Sequence, residues 1–212
     1  LGEDDEIAGV RLTDGTCEVM IATKNGMAIR INENQMRPLS RSAHGVKAIK
    51  LRNGDEVVSM ARVREGATVL TVTDKGLGRR SALDAYRIQN RGGFGMLNYK
   101  ISEEKGNVCG IKVVDETDDI IMISNDGVVI RIRACDVRVM GRYATGVKVM
   151  RISENARVVT FTRAEHEEDV EIEQIEQPSE EEIQADLEKS QAEEKNEVIE
   201  ETTEIPDDDN EE

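Results

Sequence analysis

VMIATKNGMAIR (residues 19–30) returns as VLTVTDKGLGRR (69–80) and again as IIMISNDGVVIR (120–131). The copies set Gly26, Gly76 and Gly127 at steps of 50 and 51 residues. Each copy is a short apolar run, a polar turn closed by Gly, and a second run. Lys-Asn-Gly, Asp-Lys-Gly and Asn-Asp-Gly suit hairpin turns, because Gly takes a positive φ without a Cβ clash. A second landmark keeps the same step: RSAHGVKAIKL (41–51), RGGFGMLNYKI (91–101) and RYATGVKVMRI (142–152). It aligns Arg41, Arg91 and Arg142, and likewise Gly45, Gly95 and Gly146. Repetition at a fixed period marks an architecture built from one supersecondary unit.

The reading is all-β. Strand, hairpin and strand are followed by a polar connection and a longer strand at the Arg-x-x-x-Gly landmark. EVVSMARV (56–63), NVCGIKVV (107–114) and RVVTFTRA (157–164) then close the units, and EIAGVRLT (6–13) reads as the end of a preceding one. About four strands per fifty residues is the signature of propeller-like blades. The expected organisation is one domain over 1–164, with repeats at about 7–56, 57–106 and 107–157 and a closing strand at 157–164. Three blades cannot close a ring, so further blades are expected ahead of Leu1, and the chain reads as a fragment.

Charge divides the chain in the same place. Residues 165–212 carry 23 acidic side chains against Lys189 and Lys195, whereas residues 1–164 carry 26 basic and 21 acidic ones. The net charge of −16 therefore combines a body of +5 with a tail of −21. The tail has too few apolar residues to offset the entropy of ordering, so it is expected to be disordered. A basic body beside an acidic tail suggests contact with a polyanion, with which the tethered tail would compete for the basic surface; a tail that merely keeps the protein soluble is the alternative.

The cations recur with the blades. Arg30, then Arg79 and Arg80, then Arg131 and Arg133 end the second strands. Arg41 with Lys47 and Lys50, Arg91 with Lys100, and Arg142 with Lys148 and Arg151 follow at the second landmark. Equivalent positions in successive blades should fall on one rim, and a curved row of positive charge suits a bent duplex. The five aromatic residues are too few for a stacking track along a single strand.

QNRGGFG (89–95) stands apart, with Gly92, Gly93 and Phe94 where the sister copies have Ser-Ala-His and Tyr-Ala-Thr. Glycines let backbone N–H groups approach a phosphate, and Arg91 would add a forked donor. At these residues the chain resembles the carboxy-terminal domain of the DNA gyrase A subunit. Gln89, Asn90, Arg91, Gly92, Gly93, Phe94 and Gly95 look like that family's box, Gln-Arg-Arg-Gly-Gly-Lys-Gly. Asn90 and Phe94 replace two of its cations. The three hairpin copies are also similar to the family's blades.

The resemblance implies a β-pinwheel whose basic rim wraps double-stranded DNA. It also implies partnership with the remainder of the gyrase A chain and with the B subunit in an A2B2 complex. That complex would supercoil DNA negatively at the expense of ATP, in the bacterial cytoplasm. ATP and Mg would be handled by other domains, with no cofactor or metal on this fragment. The related domain of topoisomerase IV is the nearest alternative, and a protein-interaction propeller the alternative of another class.

No catalytic residue is expected. Arg142-Tyr143 has the form of a topoisomerase cleavage dipeptide, but the repeat already accounts for its arginine. A nucleophile also needs a base and a positioning shell. His44 and His166 lack partners at catalytic or metal spacing, and there is no Walker loop. Cys17, Cys109 and Cys135 lack CxxC spacing and read as small core residues of a reducing compartment. No apolar run reaches the ~18 residues of a membrane helix.

Overall fold

In a computed structural model of the chain, residues 5–166 are described. Of the acidic tail at 165–212 only Glu165 and His166 are among them, and the expected disorder of 167–212 lies outside the described residues. Three antiparallel sheets follow the three repeats. The first joins β1 (Glu18–Thr23), β2 (Met27–Asn32) and β3 (Val57–Arg62). The second joins β4 (Thr68–Thr73), β5 (Leu77–Ala82) and β7 (Val108–Val114). The third joins β8 (Asp118–Ser124), β9 (Val129–Arg133) and β11 (Val158–Glu165). A single 3-10 turn follows each hairpin, at Glu33–Gln35, Leu83–Ala85 and Ala134–Asp136.

The landmark strands are shorter than their sequence suggests, and each is passed to its neighbour. β6 (Met96–Leu97) pairs with β2, so the second repeat completes the first sheet, in the order β3-β1-β2-β6. β10 (Val147–Lys148) pairs with β5 in the same way and gives β10-β5-β4-β7. The first landmark forms no strand, only a bridge from Ile49 to Gly93, and the third sheet has three strands, β11-β8-β9. Residues 6–13, expected as a strand, are irregular. The place expected of them, a closing strand beside a unit's first strand, is taken by β3, β7 or β11 in all three sheets.

Strand exchange explains the hairpin glycines. Gly26 and Gly76 have φ of +83° and +74°, and a Cβ on either would collide with the carbonyl of Tyr99 or Met150 on the exchanged segment. Gly127 has the same backbone, at φ +85°, with open space in front of it. Alternation within strands supplies the cores between sheets. Met20 and Ala22 from the first sheet meet Val69, Tyr86, Ile111 and Val113 of the second unit. Leu70 and Val72 point the other way, onto Ile120, Met122, Val137 and Phe161. The middle sheet is thus buried on both faces, which is why β4 reads as an unbroken run rather than an alternating one.

Candidate nucleic-acid interface

The arginines that end the second strands turn out to hold units together. Arg30 donates to Glu18 Oε2 at 2.6 Å and, across the seam, to the carbonyls of Leu83 (2.9 Å) and Tyr86 (3.1 Å). Arg80 repeats the arrangement one unit on. It is 2% exposed and donates from Nε to Val137 O at 2.6 Å. Tyr86 and Val137 both end 3-10 turns, so the same contact is made twice.

Arg79 is fully buried. Its guanidinium donates to the carbonyls of Asn98 (2.6 Å), Ala144 (2.9 Å) and Arg142, and it lies 5.2 Å from the Tyr99 ring. Asn98 Oδ1 in turn accepts from Tyr86 Oη at 2.6 Å and Thr71 Oγ1 at 3.2 Å. Burial pulls the Arg79 pKa down, as expected of a guanidinium with carbonyls rather than a carboxylate for partners. Arg30, Arg79 and Arg80 are therefore withdrawn from the rim expected of them. They recur because the seam recurs.

Arg131, at the Arg80 position of the third unit, stays exposed. It pairs with Asp119 at 2.7 Å and donates to Glu165 O at 3.1 Å. Hydrogen bonds from His166 and then Arg131 hold Asp119 below the usual carboxylate range, so His166 has a partner that its sequence spacing did not show. Arg133 is exposed.

At the second landmark, Arg142 is half-buried, donates to Leu97 O, and lies 5.7 Å from the Tyr86 ring. Arg91 makes the equivalent contact to Lys47 O at 3.4 Å while remaining exposed. Arg41, Lys47, Lys50, Lys100, Lys148 and Arg151 are exposed as well.

The box is less open than its glycines suggest. The N–H of Arg91 goes to Gln35 Oε1 at 2.8 Å and that of Gly92 to Ala48 O at 2.6 Å, so neither is available to cradle a phosphate. Gln89 N–H bonds to Arg30 O at 2.8 Å, and Asn90 is exposed. Gly93 O accepts from Lys50 N–H at 2.8 Å. Gly95 is required by strand exchange, since a Cβ there would strike Ala28 O, and Gly146 faces Gly78 O in the same way. Phe94 is the exposed feature, at 43%, with Lys50 Nζ 4.8 Å and the Arg52 guanidinium 5.8 Å from its ring centre. The substituted position of the box thus gathers two cations from the preceding unit.

Sequence reasoning passed over Arg52 and a whole row. Arg37, Arg87 and Arg138 sit seven residues after Arg30, Arg80 and Arg131, at the same steps of 50 and 51. Each follows a 3-10 turn and is exposed, and among the described residues none has a hydrogen-bond or ion-pair partner. The repeat that disclosed the seam arginines carried this row too, one step further along the chain.

Other candidate chemistry resolves into structure. Asp14, Cys17 and Glu33 bring their ligand atoms within 4.8 Å of one another. Burial, and then the hydrogen bond to Glu33, push the Cys17 thiol up, and it donates to Glu33 Oε2 at 2.7 Å. Tyr143 is 74% exposed beside Arg142. All three cysteines are free, and Cys135 is exposed rather than in the core. No described helix is long and apolar enough to cross a membrane.

The family model for the DNA gyrase C-terminal domain, a β-propeller, matches residues 18–64, 67–115 and 118–165. The DNA gyrase A protein of Staphylococcus aureus strain MRSA252 is 40% identical over 171 residues, which span 80% of this chain and 19% of that protein. Its counterpart in strain NCTC 8325 is 40% identical over 177 residues, or 82% of this chain and 20% of the relative. The solved C-terminal domain of a DNA topoisomerase IV superposes with a TM-score of 0.74 at 26% identity, covering 78% of this chain and 52% of that one. A solved DNA gyrase A C-terminal domain gives 0.66 at 28% identity, with 70% and 50% covered.

Proposed function

The chain belongs to the family of DNA gyrase C-terminal β-propeller domains, and from that premise we propose that it binds and wraps double-stranded DNA on behalf of a gyrase. The observation that carries the reading is the row Arg37, Arg87 and Arg138, exposed and without a partner among the described residues at equivalent places in three successive units. Arg41, Arg91, Lys47, Lys50 and Arg52 add charge on the segments that follow the first two of those turns. Guanidinium groups free of carboxylates release counterions from DNA without first breaking an ion pair. Contacts of this kind read phosphates, so little sequence preference is expected.

The finer role follows the relatives. The curated sequence relatives at 40% identity are gyrase A proteins, which favours negative supercoiling over decatenation. The chain spans about a fifth of their length. Supercoiling, an A2B2 complex with the B subunit, dependence on ATP and Mg, and residence on the bacterial chromosome accordingly belong to the proposal.

The test is a titration of a linear duplex of about 100 base pairs at several salt concentrations, with the native chain and with Arg87→Ala/Arg138→Ala. Tight binding with a steep salt slope, made shallower by the double variant at unchanged stability, is the expected result. Absence of binding at low salt, or binding indifferent to both salt and the variant, overturns the reading in favour of a protein-interaction module.

A further inference from the structure

A second basic feature lies where the sheets meet, separate from the arginine row. β3, β7 and β11 are edge strands of their sheets, and β7 packs against both of the others. Between them is a cavity of about 470 Å³, lined by Arg62 and Arg64 from the β3 side, Lys112 from β7, Arg163 from β11, and Arg11. That volume falls within the range of small-molecule sites, roughly 300–1,000 Å³. Its lining includes none of Arg37, Arg87 and Arg138.

Three of the five cations are already neutralised. Arg62 pairs with Asp14, Arg64 with Asp115 (2.9 Å) and Asp118 (3.2 Å), and Arg163 with Asp118 (2.9 Å). Arg11 and Lys112 pair with no carboxylate among the described residues. Arg11 donates only to the adjacent Val10 carbonyl, and the half-buried Lys112 has only the Phe161 ring, 5.9 Å from its Nζ. Burial, and then the nearby Arg11 charge, pull the Lys112 pKa down. Two cations facing one cavity raise each other's energy, and an anion between them relieves both. At the register position of Lys112 only the middle unit has a cation, because the equivalents are Ala61 and Thr162.

We propose that this cavity, at the meeting of β3, β7 and β11, is a binding site for a small phosphate-rich anion, gripped by Arg11 and Lys112, with the carboxylate-paired arginines forming its walls. Guanidinium forks and an ammonium are the donors that phosphate oxygens select. Free polyphosphate and the phosphate chain of a nucleotide share this chemistry.

Calorimetric titration of the full chain with inorganic triphosphate at low salt tests the site. Saturable binding to one site is expected, weakened at least tenfold in Arg11→Ala/Lys112→Met, which keeps the stem over Phe161. Arg87→Ala/Arg138→Ala should bind triphosphate like the native chain. A native chain that does not bind, or a double variant that binds equally well, overturns the proposal. Should the double variant lose its circular dichroism signature, Arg11→Ala alone decides, since that side chain is exposed on an irregular segment; an undiminished affinity there also overturns it.

Adenosine triphosphate in parallel separates the sources: equal or tighter binding points to a nucleotide, weaker binding to free polyphosphate. Duplex affinity of Arg11→Ala/Lys112→Met should match the native chain. A parallel loss would place the cavity on the DNA path and overturn a separate site. Because the cavity lining is distinct from the arginine row, the two readings fail on different variants.

Discussion

The middle and third units carry the same hairpin, yet their equivalent arginines have opposite fates. Arg80 is 2% exposed and bonded to the next unit's turn, whereas Arg131 stays at the surface and pairs with Asp119 of its own sheet. The middle sheet has a core on each face, while the third leaves Val128 and Val129 45% and 59% exposed. A recurring cation in a repeat protein thus identifies a recurring contact, and whether that contact is a seam or a surface depends on the next unit. Charge removed from the seam, at Arg79 or Arg80, should therefore cost stability, and charge removed from the row after the turns should cost binding.

The largest break is Arg79→Ala. It strands the carbonyls of Asn98, Arg142 and Ala144 in a buried network, each at about 1–3 kcal/mol, so a loss of about 3–5 kcal/mol is expected after relaxation. Arg80→Ala strands Val137 O and should lose about 1–3 kcal/mol. Arg131→Ala should lose several-fold less than either. Urea denaturation midpoints rank the three. A native-like Arg79→Ala would show that the buried network carries no stability.

The glycines sharpen the same contrast. Gly127→Ala should cost only the left-handed backbone penalty, about 1–2 kcal/mol. Gly76→Ala meets that penalty and the Met150 carbonyl as well, so it should lose distinctly more. Equal losses would mean that β10 does not lie against the hairpin.

The repeat period, the hairpins and the all-β class were legible because glycine turns and apolar runs are local signals. Strand exchange was not: nothing in GFGMLNYK says that Met96 and Leu97 pair with Ala28 and Met27 of the preceding unit rather than with their own. The error over Arg30, Arg79 and Arg80 follows from that one. Alternation places Arg80 on a face, but only the neighbouring turn converts that face into an interior. Arg37, Arg87 and Arg138 were visible by period and were missed because they fall in the polar connection, where no strand pattern drew the eye.

Binding gives a smaller and more selective effect. Each phosphate contact contributes about 0.9 to the salt slope on duplex DNA, so Arg87→Ala and Arg138→Ala should each flatten it by roughly that amount. Their melting temperatures should match the native chain. Arg131→Ala should change the slope less, because its guanidinium already serves Asp119. An equal change in all three would erase the distinction between the row after the turns and the Asp119-paired Arg131.

The smallest effect is a pH dependence lodged in the middle unit. Cys109 packs against the Phe161 core, and burial pushes its thiol up to about 12, whereas Cys135 is exposed in the third unit. An unfolded thiol ionises near ~8.5, so the folded state binds the extra proton between that pH and about 12. Stability from this group is therefore complete below ~8.5 and declines as pH rises through the window. Tyr86 and Tyr99, also pushed up by burial, join the decline only above ~10, which leaves roughly pH 8.5–10 to the two thiols that burial raises, Cys109 and Cys17. Valine occupies the equivalent place in both other units, at Val58 and Val159, so Cys109→Val should fold without strain. Its melting temperature should fall less steeply across that interval than the native chain's, the remaining slope belonging to Cys17. Parallel declines would assign the slope elsewhere, and faster alkylation of Cys109 than of Cys135 would contradict the burial that raises its pKa.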